Sequence, residues 1–387
     1  MRETTGPGDM LAPFRNRPLS PAFDPWDPYL TWSVHEAWLL TSIEVTVTNR
    51  CNLRCEHCAV GELLTSSEGP PLPLELLFRR LDTVETLLTF SITGGEPSLG
   101  GDLIESLVLP LLRYAKARGC YTQINTNLTQ PLATYEALAP WVDVFHISFN
   151  YLDAMDFHAI AFARAARPVS IGAAETLYDR MLTNAAALAR QGAFVAAETI
   201  ITERTASRLG AINRALARLG VRRHEIHPLY PSDFAADLPL LERRALRQSI
   251  ERFLQERDPS LWALFGTLPF FACNPDPDER ALVWKLLSLP NVTVRNDPDG
   301  RSRLNVHARS GEVFVQDFAD LGPLGTIQEH SLTELFERWL TSPQARALHC
   351  HCAAARCLGP NLIVADTYYP GIDFSGRQAI PPAATPL

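Results

Sequence analysis

The sequence predicts an α/β fold in which a parallel β-sheet is covered by helices and followed by a smaller α+β region. Six short β-branched or apolar runs alternate with five amphipathic stretches between residues 43 and 227. Repeated strand-then-helix units of this kind build parallel sheets. Beyond residue 232 the pattern changes to a charged helix and a hairpin, so we expect a second region there.

The predicted elements of the first region follow one another in a regular order. Strands are expected at residues 43–48, 89–93, 121–126, 142–149, 194–201 and 223–227. Helices are expected at residues 72–88, 103–118, 132–138, 175–190 and 207–219. The loops that follow the strands therefore collect at one edge of the sheet, where parallel βα folds bind their ligands.

The second region has its own signals. Residues 240–257 predict a charged helix, and residues 304–307 with 312–316 predict a hairpin. Ser331 and Glu334 stand at the positions of a capping box, which predicts the start of a short helix.

Both ends of the chain lack this periodicity. Residues 1–40 are rich in proline and aromatic residues, and they predict an extended arm anchored by Phe23, Trp26 and Tyr29. Residues 360–387 contain further prolines and predict a partly disordered tail. The predicted organisation is an arm (1–40), a core domain (41–232), a second domain (233–359) and a tail (360–387).

The composition is that of a globular protein with one large or two medium domains. The chain has 387 residues, of which 46% are hydrophobic and 20% charged, with eight cysteines and a formal net charge of −8. These values exclude fully disordered, collagen-like and disulfide-scaffold proteins. No apolar run approaches the roughly 20 residues of a membrane span. Residues 1–10 lack the apolar segment of a secretory signal, so we expect no membrane partner and a cytoplasmic location.

Three cysteines lie on one loop directly after the first predicted strand, namely Cys51, Cys55 and Cys58. Three thiolates can hold three irons of a four-iron, four-sulfur cluster and leave the last iron without a protein ligand. An open metal position is where a substrate or cofactor binds. The alternative is a closed structural zinc site with His57 as a further ligand. A disulfide is disfavoured by compartment and spacing.

This cysteine loop, followed by Gly-Gly-Glu-Pro at residues 94–97 after the second strand, resembles the radical S-adenosylmethionine (SAM) superfamily. The resemblance implies a partial (β/α)6 barrel with a smaller C-terminal iron–sulfur region. It also implies a [4Fe–4S] cluster on the three cysteines, with SAM on the open iron. The reduced cluster would cleave SAM to a 5′-deoxyadenosyl radical. An electron donor such as flavodoxin or ferredoxin is then expected as a partner.

The resemblance also implies which residues contact SAM. Gly94 and Gly95 are expected to let the backbone approach the methionine moiety, and Glu96 to accept from its ammonium group. His57 stands where an aromatic ring usually packs on the adenine. The full set of expected contacts is His57, Gly94, Gly95, Glu96, Pro97, Asn125, Asn127, Ser148 and Asn150. The polar residues at the strand ends have an alternative role as caps or turn residues.

A second cysteine group lies near the C-terminus and consists of Cys350, Cys352 and Cys357, with Cys273 as a distant fourth thiol. Four thiols can ligate an auxiliary [4Fe–4S] cluster, and zinc is the alternative. The preceding segment resembles the auxiliary-cluster extension called SPASM. Where that extension has a cysteine, residues 316–317 of this chain are Gln and Asp, which is closer to the shortened "twitch" form.

The Cys-x-Cys-x4-Cys spacing of the second group, together with the arm, resembles the YfkAB type of radical SAM proteins. The function expected from these resemblances is a radical SAM enzyme that abstracts hydrogen from an unidentified peptide or small-molecule substrate. One alternative is a non-catalytic iron–sulfur protein for electron transfer or sensing. An RNA-modifying enzyme is a further alternative, but the net charge of −8 argues against a nucleic-acid partner.

Overall fold

The computed structural model describes residues 11–230, 235–296, 300–316 and 321–381. Its strands form one eleven-stranded sheet in the order β11-β10-β9-β1-β2-β3-β4-β5-β6-β7-β8. Strands β1 to β8 are parallel neighbours in chain order, and β9 pairs in parallel with the free side of β1. The predicted α/β class, a partial parallel barrel with a C-terminal region, is confirmed.

The elements have the following bounds. The strands are β1 (Ser42–Thr46), β2 (Thr89–Thr93), β3 (Tyr121–Thr126), β4 (Val144–Ser148), β5 (Phe194–Ile201), β6 (Arg223–Pro228), β7 (Trp262–Gly266), β8 (Val292–Arg295), β9 (Arg303–His307), β10 (Glu312–Phe314) and β11 (Gly325–Thr326). The helices are α1 (Ala12–Arg15), α2 (Pro28–His35), α3 (Leu74–Asp82), α4 (Gly101–Leu103), α5 (Leu109–Ala117), α6 (Leu132–Leu138), α7 (Ala154–Ala161), α8 (Ile171–Arg190), α9 (Leu209–Leu219), α10 (Arg243–Glu256), α11 (Pro277–Ser288), α12 (Leu332–Leu340), α13 (Pro343–Ala347) and α14 (Leu362–Tyr368). A π-helical turn, Ile104–Val108, joins α4 to α5.

The predicted strands and helices of the first region are confirmed, with one helix shorter and one longer than expected. Helix α3 ends at Asp82, because a β-branched, turn-forming segment follows it before β2. Helix α8 begins at Ile171, one residue after Ser170, whose hydroxyl accepts from the Ala173 N–H as an N-cap. The predicted hairpin and capping box are also confirmed.

Several elements have no counterpart in the sequence prediction. They are α1, α2, α7, β7, α11, β8, β11, α13 and α14. Strands β7 and β8 extend the sheet of the first region, so the sheet crosses the boundary expected at residues 232 and 233. The division into domains therefore stays a prediction, and the two regions share one sheet. None of the helices in the described ranges is both long and apolar enough to cross a membrane.

The described part of the N-terminal arm, residues 11–40, is docked and partly helical, so the expected extended conformation is wrong. Helix α2 begins after Asp27, whose carboxylate accepts from the Tyr29 N–H, and Pro28 occupies the first helical position. The anchoring by Phe23 is confirmed, because its ring is 1% exposed and lies edge-to-face on Tyr121, with 5.9 Å between centroids. The arm thus covers the amino-terminal ends of the central strands.

The C-terminal tail is ordered over its described part. Helix α14 buries Ile363 and Val364, and Phe374 beyond it is 1% exposed. Residues 382–387, where disorder was expected, lie outside the described residues.

Replacing Phe23 by Ala tests whether the arm is part of the folded core. The substitution is expected to lower the free energy of unfolding by about 3–5 kcal/mol, as for other buried phenylalanines. Urea unfolding followed by circular dichroism measures the change. Val34→Ala, on the same arm but 55% exposed, is the control and is expected to change stability by no more than about 0.5 kcal/mol. Equally small losses in both variants would contradict a docked arm.

Candidate functional site

The cysteine loop after β1 is docked on the end of α7. The Arg54 N–H donates to the Ala161 carbonyl (2.8 Å), and the Glu56 N–H donates to the Ile160 carbonyl (3.0 Å). The Arg54 guanidinium also donates to the Cys51 carbonyl (2.8 Å). The shape of the loop is therefore set by bonds to a helix that the sequence pattern did not predict.

Cys51, Cys55 and Cys58 are half-buried free thiols that line one cavity. Burial raises the pKa of Cys51 to about 12, and the nearby Glu96 adds to this effect. Burial likewise raises the pKa of Cys55 and of Cys58. Thiolates in such surroundings need a cationic partner, and a metal cluster supplies one.

The three thiols lie near one another. They line one cavity, and the charges of Cys51 and Cys58 both add to the rise in the pKa of Cys55. In a cubane each thiolate binds its own iron, and three cysteines on one loop leave the fourth iron open. The chemistry of this donor set fits a [4Fe–4S] cluster.

Gly94 and Gly95 bring the end of β2 into direct contact with the backbone of the cysteine loop. A Cβ on Gly94 would lie 2.3 Å from the Thr48 carbonyl oxygen, and one on Gly95 would lie 2.3 Å from the Arg50 carbonyl oxygen. The Gly95 N–H donates to Thr48 (2.7 Å), and the Glu96 N–H donates to Arg50 (2.8 Å). Gly94 has φ = 147°, which glycine tolerates best. Both glycines line the cavity, but the close approach that requires them is to this loop.

Glu96 is buried and its carboxylate receives four hydrogen bonds from the protein. Oε1 accepts from the Ser98 N–H (3.0 Å), the Ser98 hydroxyl (2.5 Å) and the Thr126 hydroxyl (2.7 Å). Oε2 accepts from the Asn127 N–H (2.7 Å). Burial raises the pKa of Glu96, and these donors act in the opposite direction. Glu96 therefore ties the end of β2 to the end of β3, and its contact with SAM stays a prediction.

The structure gathers most of the expected SAM contacts around a single cavity of 510 Å³. Its lining includes Cys51, Cys55, His57, Cys58, Gly94, Gly95, Glu96, Asn125, Asn127, Ser148, Asn150 and Tyr151. Ser148 is exposed within it, whereas Pro97 is buried and lies outside the lining. A cavity of this size is in the range that holds cofactors and drug-sized ligands.

Two of the expected contacts also bind other parts of the site. His57 lies with Nε2 3.3 Å from Asn150 Nδ2, and burial lowers the pKa of the ring to about 4, so that the imidazole is neutral at pH 7. Asn127 donates to Asn52 Oδ1 (2.9 Å) and lies 4.0 Å from Cys51 Sγ. The turn role considered for Asn127 is also present, because its Oδ1 accepts from the Thr129 N–H (3.1 Å).

A second cavity, of 230 Å³, lies in the lumen of the barrel and shares part of its wall with the first. We call it the lumen cavity. The acidic, basic and histidine residues that line it are Glu44, His57, His146, Glu198, Glu225, His227, Arg295 and Arg303. Apart from His57, sequence reasoning missed all of them. The alternation of polar and apolar residues along the strands is a signal for these residues. In Ser42–Thr46, the apolar Ile43 and Val45 pack into the core, so the polar residues between them face the lumen.

Two arginines and two carboxylates form a buried network beside this cavity. Arg223 and Arg295 both bind Glu225, at 2.7 and 3.1 Å, and Arg295 also binds Asp24 at 2.6 Å. Burial alone would raise the pKa of Glu225, but the two guanidinium groups hold it well below its usual value. Since Asp24 belongs to the arm, the arm completes the charge balance of the lumen.

The structure brings the four cysteines of the second group together. Cys352 and Cys357 face each other in an antiparallel bridge with N–H to carbonyl distances of 2.8 and 3.0 Å. Burial raises the pKa of Cys350 to about 11 and that of Cys357 to about 12, and in both cases Cys273 and the other thiols add to the effect. The grouping expected from the sequence is thus present in space.

The arm also contacts this second cysteine group. Arg356 pairs with Asp27 at 3.1 Å and lies over the Tyr29 ring, 4.8 Å from its centroid. The Tyr29 ring stacks on His351 with 6.1 Å between centroids. The anchoring expected of Tyr29 is therefore to the turn that carries Cys352 and Cys357.

Comparison with known proteins identifies the family. The radical SAM superfamily profile matches residues 45–180, and the YfkB-like domain profile matches residues 229–379. A protein named YfkA from Bacillus subtilis (strain 168) is 45% identical over 364 residues, which cover 94% of this chain and 98% of the relative. The chain belongs to the YfkAB family of radical SAM proteins. Membership of this superfamily implies SAM and a [4Fe–4S] cluster as cofactors.

Solved structures share the fold of this YfkAB-family protein. Streptococcus suis SuiB bound to S-adenosylmethionine superposes with a TM-score of 0.56 at 15% identity, over 86% of this chain and 76% of SuiB. SuiB bound to its precursor peptide SuiA gives 0.57 at 13% identity, over 90% and 78%. Native anSMEcpe with bound AdoMet gives 0.54 at 15% identity, over 77% and 80%. At 13–15% sequence identity, these matches show a shared fold.

Replacing Glu96 by Gln tests the structural role of this carboxylate without SAM. Gln places an NH2 group where the protein offers only donors, so we expect the free energy of unfolding to fall by about 1–3 kcal/mol. Urea unfolding of the protein without added SAM measures it. Glu105→Gln, at an exposed position, is the matched control. A stability loss no larger than that of the control would show that the four hydrogen bonds contribute little to folding.

Proposed function

We propose that this radical SAM protein is an enzyme that abstracts hydrogen from a substrate. Cys51, Cys55 and Cys58 would hold a [4Fe–4S] cluster, and SAM would lie in the adjoining 510 Å³ cavity. The cluster, when bound, supplies the electron that cleaves SAM to the 5′-deoxyadenosyl radical. The observation that carries the proposal is that three half-buried thiols line the same cofactor-sized cavity.

The chain's own residues position the cysteine loop and the groups that would contact SAM, and they shield part of the site from water. The glycine contact with Thr48 and Arg50 holds the cysteine loop over the sheet, and the Glu96 bonds fix the neighbouring strand end. The neutral His57 ring offers a flat surface for the adenine, and the exposed Ser148 hydroxyl offers a hydrogen bond to the sugar or carboxylate. Beside the thiols, the wall residues Glu96 and Asn127 are 1% and 9% exposed, so this part of the wall is shielded from water, as a reactive radical requires.

The second cysteine group supports the proposal of an auxiliary [4Fe–4S] cluster. Cys273, Cys350, Cys352 and Cys357 supply four ligands, which is a full set for a cubane. Such a cluster would contact the substrate or relay an electron. Flavodoxin or ferredoxin is the proposed reductant. All eight cysteines lie in the described part of the chain as free thiols, which fits the reducing cytoplasm that we propose as its location.

A non-catalytic electron-transfer or sensing role is the second candidate. It accounts for the cysteines, but it gives no purpose to a 510 Å³ cavity beside the first group. An RNA substrate would need a basic surface, which the net charge of −8 disfavours. The substrate is therefore proposed to be a peptide, as in the complex of SuiB with SuiA, or a small molecule.

Replacing Cys51, Cys55 or Cys58 by Ala is expected to abolish SAM cleavage. Each variant loses one of only three protein ligands of the cluster. Formation of 5′-deoxyadenosine by the reduced, reconstituted protein is the measurement, with chromatographic detection. Cys120→Ala is the matched control, since Cys120 is buried against Leu87 and distant from both cysteine groups in the chain. Absence of 5′-deoxyadenosine from the wild-type reaction would favour the electron-transfer role instead.

Replacing Cys352 by Ala tests the auxiliary cluster. We expect the iron content to fall by about four atoms per chain, while SAM cleavage without product formation continues at the first cluster. Iron and sulfide analysis together with electron paramagnetic resonance of the reduced protein measures the two clusters separately. An unchanged iron content in this variant would show that no auxiliary cluster is present.

A further inference from the structure

The C-terminal tail bridges the two parts of the chain that carry the second cysteine group. Near one end of the bridging segment, the Phe374 N–H donates to the Ala347 carbonyl (3.2 Å), shortly before the three clustered cysteines. Near its other end, the Ile380 N–H donates to the Ala272 carbonyl (2.9 Å), and Cys273 follows directly. The tail is therefore a third segment that holds this group of thiols together.

Arg377 lies on the tail between these two contacts and reaches the thiols of both parts. The Cys350 thiol donates to the Arg377 carbonyl (3.5 Å). The Arg377 guanidinium donates to the sulfur of Cys273. Burial raises the pKa of the Cys273 thiol, and this hydrogen bond and the positive charge of the guanidinium act in the opposite direction. Arg377 thus contacts both parts of the cysteine group at once.

The Arg377 guanidinium is held in place by the tail itself. It lies over the Phe374 ring, 5.2 Å from the centroid, and Phe374 is 1% exposed. Arg377 Nε donates to the Asp373 carbonyl oxygen (3.3 Å), whereas the exposed Asp373 carboxylate accepts from the Ser375 N–H (2.8 Å). Arg377 therefore bonds to Asp373 through the backbone, and its positive charge remains available to the thiols.

A second guanidinium, that of Arg301, acts on the same thiols. Arg301 is 1% exposed and donates to the Leu358 carbonyl (2.8 Å) and the Ala345 carbonyl (3.2 Å). Burial raises the pKa of Cys350, the neighbouring thiols add to this effect, and the charges of Arg301 and Arg377 act against it. Positive charges beside thiols favour the thiolate, which is the form that binds iron.

We propose that Arg377 is a positioning residue of the auxiliary cluster, and that its guanidinium is the hydrogen-bond donor and counter-charge that makes this cluster easier to reduce. The inference rests on the auxiliary cluster of the proposed function. A [4Fe–4S] cluster on four thiolates is anionic, and one electron from the reductant adds a further negative charge. A nearby cation and a hydrogen bond to a sulfur ligand therefore stabilise the reduced form more than the oxidised form.

Replacing Arg377 by Met tests this in the full-length, reconstituted protein. Met keeps an unbranched side chain and removes both the charge and the donor. At a fixed potential we expect the ratio of reduced to oxidised auxiliary cluster to fall about tenfold, which is a midpoint about 59 mV more negative for one electron. Redox titration with dithionite, followed by electron paramagnetic resonance, measures the ratio. The auxiliary signal is the one that added SAM leaves unchanged.

Two further variants separate charge from shape and from general surface charge. Arg377→Lys keeps the positive charge, so its midpoint is expected to stay close to that of the wild type. Arg346→Met removes an exposed charge just before the cysteines, and water screens such a charge, so the ratio is expected to stay within about twofold of the wild type. An unchanged midpoint in Arg377→Met would overturn the inference.

Loss of the auxiliary cluster from a variant is also informative. Loss from Arg377→Met but not from Arg377→Lys supports the inference, because the lysine variant retains the charge. Loss from both variants overturns it, since the shape of the arginine and not its charge would then be required.

These failures differ from a failure of the proposed reaction. If the wild type shows only a SAM-sensitive signal, the auxiliary cluster is absent and the inference fails with it, while SAM cleavage at the first cluster stands. If no signal responds to SAM, the proposed reaction fails, and the midpoint of the SAM-insensitive signal still tests the role of Arg377.

Discussion

The contact between two backbone segments, without intervening side chains, is the constraint on which the site depends. Residues 94–95 cross residues 48–50 closely. A Cβ on either glycine would lie 2.3 Å from a carbonyl oxygen of the other segment, which is far inside van der Waals contact. This crossing sets the height of the cysteine loop above the sheet. It also aims Glu96 at the end of β3, where Thr126 and Asn127 bind it. The same backbone contact therefore positions both the cysteine loop and the wall of the adjoining cavity.

The second constraint is the polarity of the barrel interior. Barrels of this type are usually filled by bulky branched side chains. Here the strands turn their apolar residues, such as Ile43 and Phe90, towards the helices, and their polar residues, such as Glu44 and Ser91, towards the lumen. Stability then comes from the outer layer, and the inner layer is available for binding. Because the side-chain period is two, a shift of one residue in any strand would exchange the two layers.

The sequence allowed the six central strands, the hairpin and both cysteine groups to be predicted, because each has a strong local signal. Strand β8, with the half-polar sequence Val-Thr-Val-Arg, has no such signal and is defined by its pairing with β7. Helix α2 is not predicted because the prolines around it are typical of extended chain, although Pro28 occupies the first helical position. For Gly94 and Glu96 the sequence predicts ligand contact, and no one-dimensional pattern shows which backbone segment packs against a glycine.

The arm links the lumen to the second cysteine group. Within one short segment, Asp24 pairs with Arg295 beside the lumen, and Asp27 pairs with Arg356 in the turn between Cys352 and Cys357. The first pair is largely buried, so breaking it would leave each charge uncompensated. In the second pair the Arg356 side chain is 49% exposed, and water weakens the attraction between the charges. The arm is therefore held firmly beside the lumen, whereas its hold on the cysteine turn depends also on the contacts of the Tyr29 ring with Arg356 and His351.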